Sequence, residues 1–210
     1  MEDVLAVYAR PYNPDNPVIC MDEKPYQLLD EAREPLPVKP GSIEKIDYEY
    51  TRKGTCSIFL FTEPLTGWRH AVALPQRTKK DWAGQIKCLL DEHCSGATKV
   101  TLINDNLNTH TISSLYEAFP PEEAFRLASR LDIHFTPKHG SWLNIAEIEL
   151  SAMAVQCLGK QRIPFIEELN QNLFAWQLCR NHGQKSVDWQ FTTDDARIKL
   201  KKLYPVLSNS

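Results

Sequence analysis

Long apolar runs are missing from these 210 residues: none approaches the ~18 that a membrane-spanning helix needs, and mean hydropathy is -0.39, so no membrane span is expected. The opening MEDVLAVYARPYNP has no basic stretch leading into an apolar one, and no secretory signal is read there. Glycine is scarce at 8 residues, and neither G-x-G-x-x-G nor a P-loop occurs, which removes the usual signals of dinucleotide binding and nucleotide hydrolysis. No C-x-x-C pair joins Cys20, Cys56, Cys88, Cys94, Cys157 and Cys179. Several lie inside apolar segments, so they read as buried free thiols in a reducing cytosol rather than as zinc ligands. Positive charge is not in excess either: 24 Lys+Arg against 27 Asp+Glu give -3, so any nucleic-acid contact must be local. Basic clusters at Arg77, Lys79 and Lys80, at Lys138 and His139, and at Lys199, Lys201 and Lys202 read singly as solvated faces.

What is present describes a folded domain. A hydrophobic fraction of 42% and five Trp argue against disorder, and the length suits one sizeable core with at most a small appendage. Pro11, Pro14 and Pro17 mark residues 1–17 as an extended lead-in. VICMDE (18–23) has the composition of a buried central strand that emerges at Asp22. Period-two alternation puts Val18, Cys20 and Asp22 on one face. Residues 33–54 are Pro-rich and charged, a surface loop or hairpin insertion. CSIFLFTEP (56–64) and WRHAVAL (68–74) form a strand pair about a Pro- and Gly-containing turn, which makes three antiparallel strands. Residues 78–94 carry helical spacing with Thr78 and Asp81 as a capping box. A strand at 99–105, helices at 111–119 and from Pro121, and a strand at 132–137 then alternate as a parallel arrangement requires. Helices are expected at 144–157, 164–181 and 193–204.

Two strands far apart in sequence each end in an Asp, Asp22 and Asp105. In one sheet, as neighbours, they would deliver both carboxylates to the carboxyl edge, where α/β sheets place ligands. Glu147 opens the helix after the third strand and would complete an oxygen-rich pocket. Such a pocket suits two Mg²⁺ ions about 3.5 to 4 Å apart, clamping a phosphodiester for in-line attack. Each residue also has an ordinary reading: Asp22 as a strand end, Asp105-Asn106 as turn residues, and Glu147 as the partner of Asn144 in a capping box. Glu23 points to the other face of its strand and Glu149 lies about 200° around the helix from Glu147, so both read as supporting residues. His110 and His139 lack the context of a nucleophilic triad and read as DNA-contacting or loop-ordering.

CMDEKPYQLL, GTCSIFLFTEPLTGWRH, LINDNLNTH and FTPKHGSWLNIAEIEL, in this order, resemble the catalytic domain of DDE transposases, most nearly the bacterial insertion-sequence transposases related to the mariner group. The resemblance spans roughly 16–160 and continues more weakly through RIPFIEEL and FTTDDARIKLKKLYP. It implies a ribonuclease-H-like α/β fold: a mixed sheet of three antiparallel strands followed by parallel ones, with helices on both faces. It also implies a catalytic, metal-binding triad of Asp22, Asp105 and Glu147 holding Mg²⁺ or Mn²⁺. The interval from Asp105 to Glu147 is longer than in the wider mariner group, because of the PPEEAFRLASRL helix, and this keeps Glu149 as the alternative third carboxylate.

The activity implied is hydrolysis of DNA phosphodiesters at element ends, then strand transfer into target DNA. Lys138 and Trp142 are the foremost DNA-contacting candidates, with His139, Asn144, Asn106 and His110 beside them. The expected organisation is a lead-in at 1–17, the catalytic domain at 18–182 and a basic helical extension at 183–210. Seventeen residues cannot form a helix-turn-helix module, so the chain resembles a second reading frame or a truncated copy. Its partners would be DNA, a helix-turn-helix module from another chain or reading frame, and a second copy in a homodimer. The expected place is the bacterial cytoplasm, at the nucleoid when acting. Two other readings stay open: a silent DNA- or protein-binding remnant, and a ribonuclease-H-like structure-selective or hybrid nuclease.

Overall fold

In the computed structural model, which describes residues 1–32, 49–138 and 140–204, the β-branched and aromatic runs form a five-stranded sheet. Its strands are β1 (Val18–Glu31), β2 (Tyr50–Glu63), β3 (Trp68–Leu74), β4 (Val100–Asn104) and β5 (Leu131–Phe135), in the order β3-β2-β1-β4-β5. The pairs β1/β2 and β2/β3 are antiparallel, and β1/β4 and β4/β5 are parallel, as the alternation of the sequence requires. β1 and β2 are each 14 residues long, well beyond the expected cores. Of the loop or insertion expected over 33–54, residues 33–48 lie outside the described residues, whereas Tyr50–Gly54 already belong to β2.

Strand parity sorts the core. Ile19, Met21, Phe59, Phe61 and Leu102 point to one face, covered by α2 (Lys79–Cys88), α3 (Ile112–Ala118) and α4 (Pro121–Ser129). Cys20, Ile58, Leu60 and Ile103 point to the other, which receives α1 (Glu2–Tyr8), α5 (Ala146–Met153), α6 (Ile166–His182) and α7 (Thr193–Lys199). Thr78 and Thr192 start α2 and α7 with full capping boxes, closed by Asp81 and Asp195. α2 and α5 each end in a π turn, Leu89–His93 and Ala154–Leu158, which accounts for the longer helices expected from periodicity.

The ends of the chain differ from expectation. The segment read as extended is helical over Glu2–Tyr8, because Val4, Leu5 and Val7 bury completely against the α5 face. The C-terminal segment joins the same core through Ala196 and Leu200, with Arg197 paired to Glu2 at 2.8 Å and Tyr8 packed on Trp189 at 5.1 Å. Residues 1–17 and 183–204 therefore share one core with the segment between them.

The outer edge of β3 is closed without a further strand. Three amide side chains of α6 take its backbone groups: Asn170 accepts from Ala73 N and donates to Ala73 O, Gln177 accepts from Ala71 N, and Asn181 accepts from Arg69 N and donates to Arg69 O, at 2.7 to 3.0 Å. An exposed edge of this kind otherwise templates pairing with another chain.

Candidate active site at the strand ends

β1 and β4 run in parallel with Val18 opposite Thr101, Ile19 opposite Leu102 and Cys20 opposite Ile103. The same offset carried two residues on sets Asp22 beside Asp105, so the two carboxylates leave the sheet at one edge. Parity places Asp22 with Cys20 and Asp105 with Ile103, on the face that α5 covers. Burial first, then the negative charges of Asp105, Glu147 and Glu23, push the Asp22 carboxyl up to about 6, although the Glu23 backbone N–H donates to it at 2.7 Å. Glu147 thus lies close enough for its charge to be felt at Asp22. Carboxylates whose charges are felt at a part-buried Asp22 are donors of the hard, oxygen type that a divalent cation takes, although their oxygens are not all gathered within 4.8 Å of one another in the apo chain.

Asn144 brings Glu147 there. Its Nδ2 donates to Met21 O at 2.8 Å, one residue before Asp22, and its Oδ1 accepts from Ala146 N at 3.1 Å, so a single carboxamide ties the start of α5 to β1. The capping box expected between Asn144 and Glu147 does not form: Asn144 N already donates to Ser141 O, and Ile145 is the N-cap. The Glu147 carboxylate, which makes no hydrogen bond or ion pair among the described residues, is left for the pocket. Asn144 itself, 1% exposed, is a brace and not the DNA contact expected of it.

Glu149 has a different fate. It is 2% exposed and lies between Arg69 of β3, itself 1% exposed, and Arg180 of α6. Arg69 Nε approaches it at 2.9 Å, and Arg180 Nη2 donates to both carboxylate oxygens at 2.8 and 2.9 Å. A carboxylate committed to two guanidinium groups knits three elements together and has little capacity left for a cation.

His110 also corrects an expectation. It is buried against Trp82, with ring centroids 5.8 Å apart, and cannot reach DNA from there. Its Nδ1 lies 2.5 Å from Asp105 Oδ1 and its Nε2 lies 2.8 Å from Glu23 Oε1. Burial opposes its charge, but the hydrogen bonds to Asp105 and Glu23 outweigh it and push the imidazole up to about 9. The D-N-x-x-x-H spacing is thus a loop that returns to hold its own Asp, the loop-ordering role read from sequence. What periodicity did not reveal is that Glu23, on the opposite face from Asp22, completes the link.

Of the remaining candidates, Lys138 and Trp142 line one shallow cavity with Met1, Pro137 and Leu203. Lys138, Asn106 and Trp142 are exposed, and Trp142 stands edge-on to Phe191 at 5.6 Å. His139 lies outside the described residues. Gly140 makes the Lys138–Trp142 turn sterically feasible, since a Cβ there would meet Pro137 Cγ at 2.5 Å. Lys79 pairs with Glu117 and Lys199 with Asp195, the solvated faces expected of those clusters. No helix among the described residues is long and apolar enough to cross a membrane.

A mixed sheet of three antiparallel strands continued by parallel ones, with carboxylates gathered at the ends of β1 and β4, defines a ribonuclease-H-like fold. The chain belongs to the DDE superfamily endonuclease family, whose profile matches residues 17–170. Among solved structures it is similar to the Mos1 mariner paired end complex with Mn, at TM-score 0.54, and to the Mos1 strand transfer complex, at 0.55. A pre-cleavage Mos1 transpososome aligns at 0.53. Each likeness is at 15% identity over 88% of this chain, and is a likeness of fold. The chain spans just over half the length of those Mos1 chains, 56 to 57%. No curated protein matches it.

Proposed function

We propose that this chain is the catalytic domain of a cut-and-paste transposase, hydrolysing DNA phosphodiesters at element ends and joining the freed 3′ hydroxyl to target DNA. The observation that carries the reading is the parallel register of β1 and β4, which sets Asp22 beside Asp105 on the face where Asn144 holds Glu147. Mg²⁺ or Mn²⁺ bound by Asp22, Asp105 and Glu147 would polarise the scissile phosphate and activate the attacking oxygen. The residues of the chain prepare that binding. Burial makes Asp22 a carboxylate whose charge is stabilised chiefly by a cation partner, and His110 fixes one oxygen of Asp105 and leaves the other to the pocket. Glu23 holds the second imidazole nitrogen, so the ring cannot turn away. The mariner complexes, captured on transposon ends and in strand transfer, support DNA as the substrate.

Lys138, Trp142 and Asn106 are the candidates for DNA contact, by phosphate pairing, stacking and polar contact in turn. A net charge of -3 supplies little general affinity, so recognition of element ends falls to a helix-turn-helix module from another chain or reading frame, and the acting form is a homodimer on paired ends. The test is a Mn²⁺-supported nicking assay on supercoiled DNA carrying an element end, with the helix-turn-helix module supplied in trans and omitted. Cleavage that depends on the metal and is lost in Asp22→Asn and Glu147→Gln is expected. Folded wild-type chain without metal-dependent nicking under either condition would overturn the proposal in favour of a silent remnant.

A further inference from the structure

A second cluster of metal-ligating side chains lies on the other face of the sheet. His70 of β3, Cys88 at the end of α2 and His93 at the end of the following π turn bring one ligand atom each to within 4.8 Å of one another. Cys88 Sγ is 3.9 Å from His93 Nε2, and the His70 and His93 rings are 4.6 Å apart between centroids. Zinc bonds of about 2.0 to 2.3 Å in a tetrahedron need ligand atoms about 3.3 to 3.6 Å apart, so small side-chain rotations complete the cluster.

The backbone explains the meeting. In an uninterrupted α-helix, residues five apart point about 140° away from each other. The wider turn closed by Cys94 N donating to Leu89 O at 2.8 Å brings Cys88 and His93 onto one side, facing β3. π turns of this kind are frequent at functional sites. The sequence reading of six inert thiols had no means of seeing this, because the ligands are a histidine from a strand and a pair at an unusual helical interval.

We propose that His70, Cys88 and His93 form a zinc site that pins the β3 edge to the end of α2, leaving the fourth position to solvent. One thiolate with two imidazoles is a donor set for Zn²⁺ and a poor one for Mg²⁺ or Mn²⁺. Zinc takes Cys88 as the thiolate, so coordination releases its proton to solvent. The site is separate from the carboxylates. His70 pairs with Phe61, and Phe61 with Met21, so it stands two strands away from β1, about 10 Å, on the opposite face from Asp22.

The experiment uses the whole reduced chain, stripped with chelator and titrated with Co²⁺, which reports a thiolate ligand by a near-ultraviolet charge-transfer band. A band complete at one equivalent, displaced by Zn²⁺ and retained in Asp22→Asn, is expected. Zn²⁺ should also raise the thermal midpoint of the stripped chain. Cys88→Ser should lose the band, and His93→Ala, at an exposed position that leaves the core intact, should weaken Co²⁺ binding at least about tenfold. Absence of a band at one equivalent, a band that survives in Cys88→Ser, or unchanged affinity in His93→Ala would each overturn the proposal.

Discussion

Glu147 and Glu149 are two residues apart on one short helix, and their replacement by Gln should have opposite consequences. Glu149 and Arg69 are 2% and 1% exposed, and Arg180 donates two hydrogen bonds to the same carboxylate. Glu149→Gln leaves two guanidinium groups near the core without their counter-charge, and removing one partner of a buried pair costs about 3 to 5 kcal/mol. At about 2 to 4 °C per kcal/mol for a domain of this size, the melting point should fall by about 6 to 20 °C. Glu147→Gln removes a charge from a repulsive group that makes no hydrogen bond or ion pair among the described residues, and should stay within about 0.5 kcal/mol of wild type. Urea melts at neutral pH without metal measure the first quantity, and Mn²⁺-dependent nicking at low temperature measures the second. Glu149→Gln should cut DNA wherever it is folded, whereas Glu147→Gln should fold and not cut. A stable but inactive Glu149→Gln beside a destabilised Glu147→Gln would reverse the assignment of the third carboxylate.

Asp22→Asn should leave the apo chain as stable as wild type or slightly more so, because burial already disfavours that charge, and should abolish nicking; a severe loss in a urea melt would mean that Asp22 is a structural strand end. Asn144→Leu should cost about 1 to 3 kcal/mol, since Met21 O and Ala146 N lose a buried partner, and should lower kcat more than DNA affinity; unchanged turnover in the folded variant would refute the bracing role. Asp91 is held down at about 2, first by its hydrogen bonds from Arg126 and then by Lys87. Its folded value lies below the unfolded value of 3.8, so its contribution is present above about pH 4 and disappears as pH falls toward 2. Asp91→Asn should therefore flatten that acid limb while costing under about 1 kcal/mol at neutral pH, less in high salt; a salt-independent loss would contradict a surface network.

What could be read from the sequence was local. Thr78 with Asp81 is complete within four residues, and the box forms. Asp22 and Asp105 were visible because an apolar strand that stops at a carboxylate is itself a local pattern, and strand-helix alternation supplied their parallel neighbourhood. The choice between Glu147 and Glu149 depends on Arg69 and Arg180, 80 and 31 residues from Glu149, which no periodicity on the helix encodes. Asn144 looked like a cap because its type and spacing suit one; a competing donation to Ser141 O decided otherwise. The Glu2–Tyr8 helix was hidden for a related reason. Seven residues are too few for a helix to persist alone, and this one exists by burying Val4, Leu5 and Val7.

The amide ladder of α6 gives the sheet a polarity in assembly. With Asn170, Gln177 and Asn181 occupying the backbone of β3, that strand has no vacant hydrogen-bonding rim, and a visiting strand would have to displace a whole helix to dock on it. The opposite rim, β5, is bounded by no comparable ladder among the described residues. An added strand, whether from a second copy or from a module that brings its own, is therefore turned away from β3, the strand farthest from β4 and its Asp105. Closure of β3 in this way excludes open-ended stacking of copies through β3 and β5 together.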